Sequence, residues 1–169
     1  MKRTLPIQTL KSGKVINLLF ETTFKSPIGN LGLLADESQL IELSLHGITG
    51  LSERGKPNKE RFKLELNELD FYFKRKLKSF TIAFSIEASP FQDKVYKCLR
   101  SITYGETLSY LQVAKKIGHS KAYRAVGTAC GKNPLPLIIP CHRVVASSGI
   151  GGFGGGIKHK RFLLNLESN

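Results

Sequence analysis

The chain has 169 residues, of which 41% are hydrophobic and 23% charged, so it is not wholly disordered and holds one sizeable domain or two small ones. Its formal net charge of +13 favours a polyanionic partner, with nucleic acid as the first candidate. Most of the surplus lies in residues 88–169, which hold twelve basic and three acidic residues. The apolar runs are too short to span a membrane, so we expect no membrane partner.

The three cysteines, Cys98, Cys130 and Cys141, include no CxxC pair and form no Cys/His cluster with zinc spacing. Such a set is typical of a reducing, intracellular compartment. Residues 1–6 also lack the apolar stretch of a signal peptide. We therefore expect neither metal nor other cofactor. We expect a cytoplasmic, nucleoid-associated protein if the source is bacterial and a nuclear one if it is eukaryotic.

The first half of the chain alternates short apolar runs with turn residues, a pattern typical of an antiparallel meander. A loose arm at 1–12 precedes it. The runs predict strands at residues 17–23, 31–34, 40–45 and 80–86. Between the last two strands we predict a polar linker at 51–59 and, from apolar side chains at helical spacing, a helix at 60–76. This half is a small α+β module that shows no visible chemistry.

Ser89 and Pro90 mark a boundary, because serine can cap a helix whose first position proline fills. We divide the chain here into two domains, residues 1–87 and 88–169. A helix with an apolar stripe follows, and Tyr104-Gly105 breaks it.

Residues 109–131 have helix-turn-helix character. We predict that Ser109 caps the first helix and that Ser120 caps the second, which runs to about Cys130. The side chains expected to face inward from the second helix are those of Ala122, Ala125, Val126 and Ala129. Its small residues fit close approach either to DNA or to a neighbouring helix, and the pattern alone does not choose between them.

The most informative stretch carries a cysteine between a proline and a histidine, at Pro140-Cys141-His142. A thiolate is a strong nucleophile, and an adjacent imidazole and guanidinium favour its formation. A buried structural cysteine on a strand is the alternative that spacing alone leaves open. Six of the eight residues in 149–156 are glycine, which predicts a flexible loop and not a nucleotide cradle.

These residues resemble the O6-alkylguanine-DNA alkyltransferase family. The resemblance covers about residues 17–167, with several independent motifs in the family's order and spacing. They are Ser26-Pro27-Ile28-Gly29, Ser89-Pro90-Phe91-Gln92, Tyr104-Gly105-Glu106-Thr107, Ser109-Tyr110, Ala122 to Gly127, Asn133-Pro134, Pro140-Cys141-His142-Arg143-Val144, and the glycine-rich segment running into Leu163-Leu164. The resemblance implies an α+β fold of two small domains. One is an N-terminal antiparallel-sheet, RNase H-like module, and the other is a C-terminal helical, winged-helix-like DNA-binding module.

The implied activity is DNA repair by direct, irreversible and stoichiometric alkyl transfer, after base flipping, from O6 of guanine to Cys141. His142 resembles the family's base, which acts on the cysteine through a water. Glu167 resembles the carboxylate that orients the histidine, and Asn133 resembles the residue that organises the turn before the active-site run. The chain would act once, as a methylated-DNA–protein-cysteine methyltransferase.

The implied partner is double-stranded DNA containing O6-alkylguanine, bound in the minor groove with little sequence preference. Arg124 resembles the finger that fills the gap left by the extruded base, and Tyr110 resembles the residue that rotates a phosphate. The resemblance adds Lys121, Ser120 and Thr128 as DNA contacts. The implied substrate pocket consists of Tyr110, Cys130, Pro136, Val144, Ser147, Phe153 and Gly154. We expect a monomer in solution and leave cooperative binding on DNA open.

Three other functions compete with repair by transfer. A sensor of alkylated bases would lack the nucleophile, a regulator of this family would need a cysteine-rich zinc domain, and a cysteine hydrolase would show turnover. Phe153 and Gly154 also depart from the tyrosine and serine frequent in the family. The first half has no cysteine, so we expect no zinc site there.

Overall fold

The computed structural model describes residues 18–168. The predicted arm at 1–12 and the first residue of the predicted strand, Asn17, lie outside the described residues. The N-terminal sheet has four strands in the order β3-β2-β1-β4, with both β1–β2 and β2–β3 antiparallel, so the predicted meander is confirmed. The strands are β1 (Phe20–Ser26), β2 (Gly29–Ala35), β3 (Leu40–Ser44) and β4 (Lys56–Pro57).

Polar side chains fix the two turns of this meander. The Ser26 hydroxyl donates to the Gly29 carbonyl at 2.6 Å across the first turn. In the second turn, one Asp36 carboxylate oxygen accepts from the backbone amides of Ser38 and Gln39, at 2.7 and 2.8 Å. Such local bonds are the reason that serine and aspartate favour turns.

The predicted strand at 80–86 is wrong. Its alternation is real, since Ile82 is buried and its neighbours are exposed, but the segment meets β3 only at Leu40. Further along β3, the Leu43 amide donates instead to the Pro134 carbonyl of the C-terminal half at 2.9 Å. The edge of β3 is therefore shared between two segments, and neither forms a full strand.

The predicted helix at 60–76 is shorter than expected. It begins as a 3-10 turn at Glu60–Phe62 and continues as α1 (Lys63–Phe73). The basic run after it leaves the helix, because Arg75 adopts a positive φ of 59°. The predicted linker at 51–59 also contains β4, which pairs in parallel with β1 over two residues.

The C-terminal half is helical, with one short parallel pair of strands. Its elements are α2 (Pro90–Arg100), β5 (Leu108–Ser109), α3 (Tyr110–Lys116), α4 (Tyr123–Gly131), β6 (Val144–Val145) and α5 (Ile157–Glu167). Ser89 and Ser109 each accept from the amide three residues ahead within a complete capping box, so both predicted caps are confirmed. With the N-terminal sheet, this gives the expected α+β architecture.

The predicted start of α4 is wrong. Ser120 does not cap it, because the Ala122 amide donates to the His119 carbonyl at 2.8 Å and the chain turns once more before Tyr123. Val126 and Ala129 face inward as expected, but Ala125 is exposed. That residue lies on the outer face of the helix, next to Arg124.

One apolar core runs through both halves of the chain. It joins sheet residues such as Leu33 and Leu43 to Val95 and Leu99 of α2 and to Ile139 beside the active-site run. Within residues 18–168, no helix is long and apolar enough to cross a bilayer. The continuous core holds the two halves together around the segment that carries Cys141.

Candidate active site

Cys141 opens a 3-10 turn, Cys141–Arg143, that ends where β6 begins. Its side chain is almost fully buried, with 6% of the residue exposed, and its amide donates to the Ile139 carbonyl at 2.7 Å. The residue nevertheless lines a cavity of about 220 Å³. The other lining residues are Tyr110, Gly127, Cys130, Gly131, Gly152, Phe153 and Gly154. Helix α4, the start of α3 and the glycine-rich loop thus enclose the sulfur.

Four of the predicted pocket residues line this cavity, namely Tyr110, Cys130, Phe153 and Gly154. The other three do not. Pro136 and Val144 are buried and Ser147 is exposed, and their contact with a bound base stays a prediction. The lining glycines of α4 were not predicted, because glycine leaves no side-chain signal of a pocket.

Asn133 holds the loop that delivers Cys141. Its side-chain amide donates to the Ile139 carbonyl at 2.7 Å, and its side-chain oxygen accepts from the Leu135 amide at 3.0 Å. Inside this loop, Leu137 adopts a positive φ of 75°. The two bonds of Asn133 hold the backbone on both sides of Leu137 and so stabilise its unusual conformation. This agrees with the organising role expected for Asn133.

Behind Cys141, the carboxylate of Glu167, at the end of α5, binds two side chains of the 3-10 turn. One oxygen, Oε1, accepts from His142 Nε2 at 2.8 Å. The other, Oε2, accepts from Arg143 Nε at 2.8 Å, and Arg143 Nη2 also donates to Oε1 at 3.1 Å. All three side chains are buried, and the structure brings together the predicted pair of His142 and Glu167 across 25 residues of sequence.

Two further donors complete this network. The Tyr72 hydroxyl donates to Glu167 Oε1 at 2.7 Å, and the Gly105 amide donates to Oε2 at 3.3 Å. Gly105 has a φ of 82°, and a Cβ there would lie 2.8 Å from the Glu167 carbonyl oxygen. The glycine of the Tyr104-Gly105 motif is thus required for close approach of the chain to Glu167.

The network determines the ionisation of its members. Burial opposes ionisation of Glu167, but bonds from His142, Arg143 and Tyr72 outweigh it and lower the pKa of the carboxyl to about 2. Burial lowers the pKa of His142, and this effect is larger than that of the Glu167 carboxylate, which raises the pKa. At neutral pH, His142 is therefore neutral and carries its proton on Nε2. Its Nδ1 is buried and has no hydrogen-bond partner among the described residues.

The Cys141 thiol differs from the expectation of a depressed pKa. Burial raises its pKa, while the Asn133 side chain and the charge of Lys160 pull in the opposite direction. The side chains of His142 and Arg143 point to Glu167 and not to the sulfur. Cys141 is thus a protonated thiol at rest that needs a base.

Lys160 is a buried residue that sequence reasoning missed. It lies on α5, is fully buried, and donates from Nζ to the carbonyls of Val144 at 2.5 Å and Gly152 at 2.9 Å. It ties β6 to the glycine-rich loop on either side of the cavity. Its position four residues after the Gly156 N-cap gave no signal, because a lysine in the first turn of a helix is usually solvated.

The predicted DNA contacts lie together at the second helix. Arg124 and Thr128 are exposed on α4, and Ser120 and Lys121 are exposed in the turn that precedes it. Tyr110, partly buried, begins α3 and lines the cavity. Gly151 packs against its ring with a φ of 72°, where a Cβ would lie 3.0 Å from Tyr110 Cε2. Helix α4, with Arg124 on its exposed face, therefore borders the cavity that contains Cys141.

Two family models cover almost all of the described chain. Residues 90–169 match the DNA binding domain of 6-O-methylguanine DNA methyltransferase, and residues 19–86 match the ribonuclease-like domain of the same family. The chain belongs to the 6-O-methylguanine DNA methyltransferase family. Both matched segments carry part of the site, since Tyr72 falls in residues 19–86 and Cys141 in residues 90–169.

Similar proteins are found among members of this methyltransferase family. The methylated-DNA–protein-cysteine methyltransferase of Methanosarcina acetivorans is 38% identical over 157 residues, covering 89% of this chain and 99% of that protein. The crystal structure of Mycobacterium tuberculosis O6-methylguanine methyltransferase matches with a TM-score of 0.82 and 39% identity, over 89% of this chain and 93% of that one. A Mycobacterium tuberculosis OGT crystallised in complex with DNA matches with the same TM-score and 40% identity, over 88% and 92%.

Within the described part of this methyltransferase-family chain, no group of three or more His, Cys, Asp or Glu side chains is placed to hold a metal ion. The polar groups around Cys141 are instead bonded to one another. The site is therefore arranged as the Cys141 thiol in the wall of a small cavity, with a neutral histidine and an ionised carboxylate behind it.

Proposed function

We propose that this chain repairs DNA by transferring an alkyl group, such as methyl, from O6 of guanine to Sγ of Cys141. The observation that carries the proposal is the position of Cys141 in the cavity wall, with His142 and Glu167 behind it. The Mycobacterium tuberculosis OGT crystallised in complex with DNA supports DNA as the partner. The S–C bond forms as the C–O6 bond breaks, and the proton lost by the thiol balances the proton that guanine regains.

His142 acts as the base. Because Nε2 donates to Glu167, the second ring nitrogen, Nδ1, is left as an acceptor without a partner in residues 18–168. We assign to Nδ1 the removal of the Cys141 proton through a water molecule. The ionised Glu167 stabilises the imidazolium that forms, as expected for a base held by an orienting carboxylate.

The O6 atom of guanine is not accessible to a buried thiol while the base is stacked, so the base must leave the duplex at a cost of about a few kcal/mol. Arg124, exposed on α4, fills the gap, and Tyr110 at the cavity edge rotates the neighbouring phosphate. We propose that α4 enters the minor groove and that Lys121, Ser120 and Thr128 contact the backbone, which gives little sequence preference.

The cavity reads the extruded base with backbone groups. We assign the carbonyls of Cys141 and Val144 to its exocyclic amine and the Gly154 amide to O6, where it stabilises the leaving oxygen. The Val144 carbonyl already accepts from Lys160, but a carbonyl oxygen has two lone pairs and takes a second donor. Lys160 thus aims this carbonyl and brings positive charge near the thiolate that forms.

The reaction is stoichiometric, because a thioether on Cys141 is not hydrolysed and blocks the cavity. A second thiol, that of Cys130, lines the same cavity. Burial raises its pKa to about 12, so it remains protonated and takes no part. We propose a monomer that acts once on DNA, in the cytoplasm of a bacterium or the nucleus of a eukaryote.

A duplex oligonucleotide with a radiolabelled O6-methylguanine tests this function. We expect label on the wild-type protein and on Cys130→Ser, and none on Cys141→Ser. We also expect Cys141→Ser to keep its DNA affinity, because the thiol lies outside the basic face. Binding without label on the wild type would favour a damage sensor, and label that clears with time would favour a hydrolase. Label on Cys141→Ser would refute the assignment of the nucleophile.

A further inference from the structure

Tyr72 connects the N-terminal domain to the catalytic network. It lies in the last turn of α1, within the ribonuclease-like segment, and its residue is 1% exposed. Its hydroxyl donates to Glu167 Oε1 at 2.7 Å and lies 3.5 Å from His142 Nε2. The hydroxyl therefore reaches the one carboxylate oxygen that accepts the histidine proton.

The Tyr72 ring is held on three sides. Its centroid lies 5.3 Å from that of Phe73, 5.2 Å from that of Phe80 and 6.2 Å from that of Tyr104, and the first and last of these pairs are edge-on. Aromatic packing of this kind fixes the position of a phenol and hence of its hydroxyl. Phe80 follows α1 in the N-terminal domain, whereas Tyr104 belongs to the C-terminal half.

We propose that Tyr72 is a positioning residue for alkyl transfer, through which the N-terminal domain orients Glu167 and, by way of it, His142. The proposal rests on the proposed function, because it assigns His142 as the base. In the described residues, Tyr72 is the only member of the hydrogen-bonded cluster around Glu167 that comes from outside the C-terminal half. The N-terminal domain would thus take part in chemistry without touching DNA or guanine.

Oε1 of Glu167 accepts hydrogen bonds from both Tyr72 and His142. Tyr72 and His142 both donate to Oε1, so the Tyr72 bond limits rotation of the carboxylate and withdraws negative charge from the atom that holds the histidine proton. Without the hydroxyl, Oε1 binds that proton more strongly and His142 becomes easier to protonate. The other groups that bear on His142 are Arg143 and Lys160, which oppose its protonation, and a change at Tyr72 removes neither charge. Arg143 Nη2 is the third donor to Oε1, at 3.1 Å.

The test is Tyr72→Phe, which keeps the ring and removes only the hydroxyl. Thr81→Val is a matched control, because the Thr81 hydroxyl donates to a different carboxylate, that of Glu68 on α1, which lies away from the site. End-point titration with an excess of O6-methylguanine duplex gives the active fraction of each protein. Single-turnover rates per active molecule, measured from pH 5 to 9, then separate chemistry from folding.

We expect Tyr72→Phe to transfer about ten-fold more slowly per active molecule, since the loss of one hydrogen bond to a charged group typically costs about this much. We also expect the acid limb of its pH profile to move to higher pH, while DNA affinity and the Thr81→Val profile stay unchanged. The chain has four histidines, so ¹⁵N-histidine spectra can follow the His142 titration directly in both variants.

Three outcomes would overturn the proposal or separate it from the function. An unchanged rate and acid limb in Tyr72→Phe would show that the hydroxyl positions nothing. A lower active fraction or melting temperature, with an unchanged rate per active molecule, would assign Tyr72 a structural role only. Failure of the wild type to accept the methyl group would instead refute the proposed function, whatever Tyr72 does.

Discussion

Replacing Glu167 by glutamine tests the catalytic network most severely. The wild-type carboxylate accepts on both oxygens, with His142 and Tyr72 donating to Oε1, Gly105 donating to Oε2 and Arg143 donating to both. An amide accepts on one side only, so either orientation of Gln places its NH₂ group against donors. If the NH₂ faces His142, the imidazole must accept at Nε2 and carry its proton on Nδ1, where it can no longer serve as a base toward Cys141.

The expected losses of rate and of stability in Glu167→Gln follow from the burial of Glu167 and its pairing with His142 and Arg143. A wrong histidine tautomer behind a nucleophile costs about ten-thousand-fold in rate in enzymes with a carboxylate-oriented base, so we expect a loss of about a thousand-fold or more. Arg143 also loses the carboxylate that compensates its charge, which destabilises a buried pair by about 3–5 kcal/mol. The assays are single-turnover methyl transfer per active molecule and urea unfolding.

The control is Glu65→Gln. Glu65 is a buried carboxylate paired with Arg61 at 3.0 Å, and it lies on α1 without contact to His142. We expect this variant to lose stability and to keep the wild-type rate per active molecule. A folded Glu167→Gln variant that transfers within ten-fold of the wild-type rate would refute the role of Glu167 as the orienter of the base.

Three further predictions concern the DNA face, the buried lysine and pH. Arg124→Ala should slow repair of duplex DNA by about ten-fold or more while leaving reaction with free O6-methylguanine unchanged, since only the duplex requires base flipping; equal losses on both substrates would contradict the flipping role. Lys160→Met should slow transfer by about ten-fold, because the charge that opposes the burial of the Cys141 thiolate is lost; an unchanged pH-rate profile would count against it. The pKa values of Glu167 and His142 are both lowered in the folded protein. The stability that the two groups contribute is therefore complete above pH 6.5 and is lost as pH falls. Protonation of Glu167 lowers the free energy of unfolding by about 3 kcal/mol between the ordinary pKa of 4.5 and about 2. Urea unfolding across this range measures the loss, and a flat profile would contradict the ionised Glu167.

Local signals in the sequence predicted much of the framework. The meander, the caps at Ser89 and Ser109 and the exposed position of Arg124 follow from turn residues, capping residues and helical spacing. The predicted strand at 80–86 was wrong because the spacing of apolar residues does not show which segment pairs with β3. Its partner β3 bonds at Leu43 to Pro134, a residue more than ninety positions away.

The site divides in the same way. The resemblance to the family supplied Cys141, His142, Glu167 and Asn133, and the structure places them together. Tyr72 and Lys160 were missed, because a tyrosine in an amphipathic helix and a lysine in a basic segment look like core and surface residues. Only the packing of α1 and α5 around the Cys141 turn shows that both are buried against catalytic groups.

The measurement that tests the central claim most directly is the intact mass of the protein after incubation with an excess of duplex containing O6-methylguanine, followed by peptide mapping. We predict a gain of one methylene mass that saturates at one per chain, lies on the peptide containing Cys141 and persists after the DNA is removed. A mass that stays unchanged while the same duplex is bound, or an adduct on Cys130 in place of Cys141, would contradict the account.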